Sequence, residues 1–222
     1  MKNPWIMLPE VKPFVLPDEL NVIQAFNNRC SNKEHRLQTH ILPEPYIGNV
    51  NSQVYLLSLN PGFSQDDIIW HKKENFSNSI RKNLSHELTD YPFYFLNPKF
   101  HDSPGSNWWL QKLKSLINDS SIESVSNNIF CVELFGYHSY KYKELPKAII
   151  SSPLPSEKYA TFLVKRAIER KVKIVVMRSY KKWLQKVPAL RDYENCYVLN
   201  NPQNVVVSPN NLNYYDDIAS EF

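Results

Sequence analysis

Apolar positions along this chain gather into a few short runs separated by helical periodicity. Val54–Ser58 is a compact apolar run that Pro61-Gly62 halts abruptly, the pattern of a strand entering a turn. Ile129–Phe135, Val172–Met177 and Cys196–Leu199 read as three further strands. Between and around them, apolar residues recur at helical spacing. Asp18 caps a short helix to about Asn28, and Trp109, Leu113, Leu116 and Ile117 mark a helix over Asn107–Ile117. Ser156 and Glu157 open a helix to about Lys171 whose face is Tyr159, Phe162, Leu163, Ala167 and Ile168. Short helices are expected near Tyr180–Lys186 and Tyr214–Phe222. Strands alternating with helices imply right-handed crossovers and a mainly parallel sheet, hence an α/β fold.

The remaining segments read as connections. Residues 1–17 carry prolines at 4, 9, 13 and 17 and form an extended lead-in. Leu42–Gly48 reads as a rigid connector, and residues 64–106 as a polar, irregular insertion with an aromatic knot at Tyr91–Phe100.

Composition narrows the class of protein. With 222 residues, 42% of them hydrophobic and 22% charged, the chain reads as a single domain over 1–222. No run of about 18 apolar residues occurs, so no membrane partner is expected. The N-terminus lacks the apolar core and small-residue cleavage site of a signal peptide. Cys30, Cys131 and Cys196 are widely spaced, which suits reduced thiols in a cytoplasmic setting and leaves one ligand too few for a four-cysteine iron–sulfur cluster; a monomer is expected. His71, His86 and His101 show no spacing suited to a metal, so no metal and no cofactor is expected. The net charge of +4 fits a polyanion partner but also an ordinary enzyme. Glycine is scarce, so each of Gly48, Gly62, Gly105 and Gly136 is expected where a Cβ has no room.

In parallel sheets ligands bind beyond the carboxyl ends of the strands. Three such ends carry polar groups: Asn60-Pro61-Gly62-Phe63, Glu133, and Asn200-Asn201-Pro202-Gln203-Asn204. Converging amide and carboxyl groups read the edge of a planar molecule or orient a water. His138, just past the second strand, is a candidate acid or phosphate ligand. Trp108-Trp109 is expected to serve packing rather than a base platform. Lys165, Arg166, Arg170, Lys171 and Lys173 read as the wet face of a helix and its end, whereas Lys181 and Lys182, near the strand ends, are better placed for phosphates, with a solvated face as the default.

Leu56-Leu57-Ser58-Leu59-Asn60-Pro61-Gly62 resembles the first motif of the uracil-DNA glycosylase superfamily, nearest to the mismatch-specific and single-strand-selective branches with their Gly-x-Asn-Pro-Gly. The Pro43-to-Gly48 connector, Asn107-Trp108-Trp109, Lys173–Tyr180 and Asn201-Pro202-Gln203-Asn204 resemble further family segments in the same order. The resemblance implies a three-layer sandwich on a four-stranded, mainly parallel sheet of order 2-1-3-4. It also implies a DNA glycosylase, a metal-independent hydrolase of base excision and repair that cleaves the N-glycosidic bond of a flipped-out damaged, mismatched or modified base in duplex or single-stranded DNA. Asn60 would position the water, with Asn201 as its catalytic counterpart in the second motif. Pro61, Gly62 and Phe63 would frame the base, and Glu133 or Gln203 would read its edge. Phe100 would stack on it, with Phe93 and Phe95 as alternatives. Asn204 would contact the sugar side, and Val205-Val206-Val207 would supply a wedge.

Three departures matter. Ser58 stands where the family has glycine, and Asn201 stands where the strongest uracil enzymes have histidine. An ionised Glu133 accepts hydrogen bonds without donating, which would suit a cytosine derivative and repel uracil O4. A non-catalytic nucleic-acid-binding or nucleotide-sensing module on the same fold is the alternative, and a small-molecule hydrolase is a third reading.

Overall fold

A computed structural model describes residues 1–150 and 152–222. Among these residues the strands β1 (Tyr46–Gly48), β2 (Val54–Ser58), β3 (Ile129–Glu133), β4 (Lys173–Val176) and β5 (Cys196–Val198) form one mixed sheet of order β1-β3-β2-β4-β5. Helices cover both faces, so the class is α/β. Count and order differ from the four-stranded expectation, because β1 adds an antiparallel edge beside β3, pairing Tyr46 with Val132. The strand went unread because it is only three residues long and follows Pro45.

The parallel pairs β3–β2, β2–β4 and β4–β5 send every strand end they contain toward the same sheet edge. Every residue of β2 and β3 is buried. A central parallel strand is covered on both faces, which explains its continuous apolar run instead of alternation. The carbonyl of Ser58, where the β2 ladder ends, accepts a buried 2.7 Å hydrogen bond from Trp183 Nε1. Trp183 belongs to helix α8, here numbered in a series that begins with α1 (Leu20–Arg29) and ends with α9 (Tyr215–Ala219); α8 itself spans Tyr180–Lys186. That bond clamps α8 against the strand end that carries Asn60.

The segment expected to be irregular contains α2 (Gln65–Trp70) and α3 (Glu74–Leu84). Phe76, Ile80 and Leu84, four residues apart, form the buried stripe of α3, so a helical period was present in a largely polar stretch. The helix expected over Asn107–Ile117 begins earlier and divides in two. α4 (Pro104–Lys112) is capped by Ser103, whose side chain accepts from Ser106 N, and α5 (Lys114–Asp119) follows. A further helix, α6 (Ile122–Asn128), leads directly into β3. α7 (Pro155–Glu169) starts where Ser156 N donates to buried Glu19 at 2.6 Å. The other oxygen of Glu19 accepts from Tyr137 at 2.7 Å, and the Tyr137 hydroxyl accepts from Leu16 N at 3.2 Å, so the end of the lead-in and the start of α1 are tied to α7 and to the segment after β3. No helix is long and apolar enough to cross a membrane among the described residues.

The connector also settles what lies near the strand ends. Glu133 N donates to Pro45 O at 2.9 Å, and Glu44 N donates to Gly136 O at 2.9 Å. Residues 44–48 therefore continue alongside β3 past its end, and Glu44 is carried to the edge where Asn60 emerges.

Candidate functional site

A cleft of about 530 Å³ opens at the carboxyl edge of the sheet. Asn60, Phe63, Trp108, Trp109, Glu133 and Arg178 stand on its wall. Its size is within the roughly 300–1,000 Å³ typical of small-molecule sites.

Asn60 is half-buried, and its Nδ2 donates to Pro61 O and to Ser139 Oγ, each at 3.0 Å. The carbonyl of Pro61 only accepts, so the atom facing it must be the NH₂ group. That fixes the amide orientation, and Oδ1, which has no hydrogen-bond partner among the described residues, can hold a water or a ligand donor. The turn is held from a second side by His138, whose Nδ1 donates to Gly62 O at 2.6 Å. His138 is buried, and burial lowers its pKa, so the ring is a neutral brace rather than an exposed acid or phosphate ligand.

Gly62 departs from the expectation that each glycine lacks room for a Cβ. Open space surrounds the position such a carbon would take, so a ligand can approach the backbone there. Gly105 meets the expectation: its Cβ would stand 2.2 Å from the Phe95 ring. The missing side chain lets the start of α4 close onto Phe95 and brings Trp108 and Trp109 to the cleft.

Glu133 ends β3 directly beside Ser58, its register partner. It is 5% exposed, and burial pushes its pKa up to about 8, against a hydrogen bond with Ser58 and the positive charge of Arg178. Its Oε2 has no hydrogen-bond partner among the described residues. At neutral pH the side chain is mainly the acid, which donates as well as accepts. The sequence argument against uracil assumed a carboxylate, and the buried environment removes that assumption.

The other expected site residues fall elsewhere. Asn201, Gln203 and Asn204 are exposed and do not line the cleft, although Asn60 and Asn201 emerge from the same sheet edge. β4 lies between their strands, which separates the two strand ends by roughly 10 Å at ordinary strand spacing. Asn201 Oδ1 accepts from Gln203 N at 3.0 Å and Asn204 N at 3.2 Å, so it closes its own turn. Asn211, which sequence reasoning missed, accepts from Asn201 N and donates to Asn204 O and Val206 O, pinning the loop.

Phe100 is buried, with its ring 5.2 Å from Phe76 and 6.5 Å from Trp70 in edge-to-face contact, and it does not line the cleft. Phe95, named as an alternative, lines the cleft; Phe93 is fully buried against Trp109. Trp108 and Trp109 serve both packing and the cleft wall, beyond the packing role expected of them. Val205 and Val207 are fully buried, which removes them as a wedge. Lys182 is engaged by Glu144, whereas Lys181 is exposed.

The structure also joins Glu44, His71 and His138 in one buried cluster. No spacing rule announced it, because its members come from three distant segments. No protein-family model, curated protein or solved structure matches this chain.

Proposed function

We propose that the cleft seats a flipped-out nucleobase and that the chain is a DNA glycosylase-like hydrolase on a three-layer, uracil-DNA glycosylase-like scaffold. The observation that carries this reading is the buried Glu133 carboxyl, whose Oε2 has no hydrogen-bond partner among the described residues, on the wall of an aromatic-walled cleft that Asn60 also lines. Such a pocket offers stacking faces for a flat ring and a donor–acceptor pair for its edge. The protonated acid matches an edge with one donor beside one acceptor, a pattern shared by uracil and by cytosine derivatives.

An asparagine is too weak a base to deprotonate water. In this mechanism Asn60 Oδ1 orients a water toward the anomeric carbon while the N-glycosidic bond breaks and its electron pair leaves with the base. Glu133 donates a hydrogen bond to the departing base, and the backbone N–H groups of Gly62 and Phe63 serve its oxygens. The water oxygen bonds to the sugar carbon, and its proton offsets the charge on the released base. Arg178 on the cleft wall and exposed Lys181 provide positive charge for the phosphates of DNA.

One observation favours a non-catalytic base-binding module instead: Asn201 uses its side chain on its own turn and offers nothing across from Asn60. The two readings separate in one assay. The protein is incubated with duplex and single-stranded oligonucleotides carrying uracil, hypoxanthine, oxidised cytosine or hydroxymethylated cytosine, then treated with alkali. Strand scission at the modified base supports hydrolysis. Salt-sensitive binding without scission supports the module, and absence of both refutes the DNA reading.

A further inference from the structure

Beside the cleft, Glu44 from the connector, His71 from just past α2 and His138 from the segment after β3 bring their ligand-type atoms within 4.8 Å of one another. His71 Nε2 lies 3.6 Å from Glu44 Oε1, and His138 Nε2 lies 3.8 Å from Glu44 Oε2. Both separations are too long for hydrogen bonds. They are close to the spacing of two donors around a shared ion, since bonds of ~2.1 Å at tetrahedral to trigonal angles set donors roughly 3.4–3.6 Å apart. All three side chains are at least nine-tenths buried, at 5% exposure for Glu44 and His71 and 3% for His138.

The unused atom points the same way. His138 donates from Nδ1 to Gly62 O, so the lone pair of the neutral ring is on Nε2, and among the described residues that buried atom has no hydrogen-bond partner, although the Leu42 backbone also acts on the ring. An imidazole oriented by one ring nitrogen with the other left bare is the outer-shell arrangement that accompanies metal-bound histidine.

We propose that Glu44, His71 and His138 bind one divalent transition-metal ion of the zinc class. Two imidazoles and one carboxylate suit zinc, cobalt, nickel or ferrous iron better than magnesium or calcium. Glu44 would serve the cation as its carboxylate, so binding competes with protons and weakens as the pH falls. His71 Nδ1 accepts the amide of Leu42 at 3.1 Å, which places that ring's proton on Nε2. On loading, the proton moves to Nδ1 and the Leu42 amide loses this acceptor, exchanging one hydrogen bond for three coordinate bonds. Glu44 and His138 also line the cleft, so the ion would stand at its wall. Asp67, another lining residue, adds negative charge that acts on Glu44 and His138.

The proposal stands apart from glycosidic chemistry and is tested without it. The purified chain, stripped with a chelator and dialysed, is titrated with cobalt(II) alone and then with zinc(II) alone. One cobalt per chain is expected, with the visible bands of a low-coordinate ion, no thiolate-to-cobalt charge transfer, and displacement by zinc. Glu44→Gln and His138→Gln, each confirmed folded by circular dichroism, are expected to weaken binding beyond the roughly 10–100-fold typical of losing an outer-shell partner. Absence of stoichiometric binding, thiolate bands, or undiminished binding in the folded variants would overturn the site. Should neither variant fold, the wild-type spectrum and stoichiometry alone decide.

Discussion

Asn60 and Ser139 are joined by a 3.0 Å hydrogen bond across 79 residues of sequence. The donor is Asn60 Nδ2, so Ser139 helps fix the orientation of the Asn60 amide at the cleft wall. Removing that acceptor leaves only Pro61 O to hold the amide.

Ser139→Ala is therefore expected to lose about 1 kcal/mol of stability in urea unfolding, the net worth of one hydrogen bond. It should lower single-turnover cleavage by several-fold while leaving DNA affinity near wild type. Asn60→Ala should abolish cleavage and spare most binding. Cleavage by Ser139→Ala as fast as by wild type would disconnect the bond from the proposed chemistry.

Glu133 predicts a stability profile with a defined sign. Its folded pKa of about 8 lies above the ordinary carboxylate value of 4.5, so between these values the folded state holds a proton that the unfolded chain has released. Its contribution is fullest below pH 4.5 and is lost as pH rises toward 8. Glu133→Gln removes this group, and its unfolding free energy relative to wild type should therefore rise by up to roughly 1.4 kcal/mol per pH unit across the window. Denaturant melts of both proteins at pH 5, 6.5 and 8 measure the difference. A constant offset would place Glu133 in contact with solvent.

Gly105→Ala should destabilise by about 1–3 kcal/mol, because its new methyl meets the Phe95 ring. A shift of the urea midpoint without a change in slope is the expected signature. The Gly105→Ala, Phe95→Leu double variant should recover part of the loss by relieving that contact.

Asn201 and Asn211 separate loop architecture from catalysis. Asn201→Ala should lose about 1 kcal/mol of stability and leave the rate of cleavage unchanged, since its oxygen serves its own turn. Asn211→Ala removes three hydrogen bonds to the loop and should be the more destabilising. A large, selective fall in rate for Asn201→Ala would restore it as a catalytic group.

How much of this was legible in the sequence depended on the reach of each signal. β2 and β3 announced themselves because doubly covered strands are continuously apolar, and Asn60 was marked by the turn that ends β2. β1 and α3 were missed because three residues after a proline, and three apolar residues amid polar ones, give weak local patterns. The aromatic wall could not be assigned from spacing. The close approach at Gly105 helps decide which aromatic region reaches the cleft, and it acts through tertiary packing. The protonation of Glu133 and the meeting of Glu44, His71 and His138 arise only from tertiary burial.

The central claim, that an aromatic-walled cleft reads a flat base through a protonated Glu133, is tested most directly by tryptophan fluorescence during titration with free uracil and cytosine. Trp108 and Trp109 line the cleft and report its occupancy. Saturable quenching is expected at pH 6.5, weakening as pH rises through about 8 in wild type but not in Glu133→Gln. Absence of saturable quenching, or a wild-type pH dependence that survives in Glu133→Gln, would contradict the account.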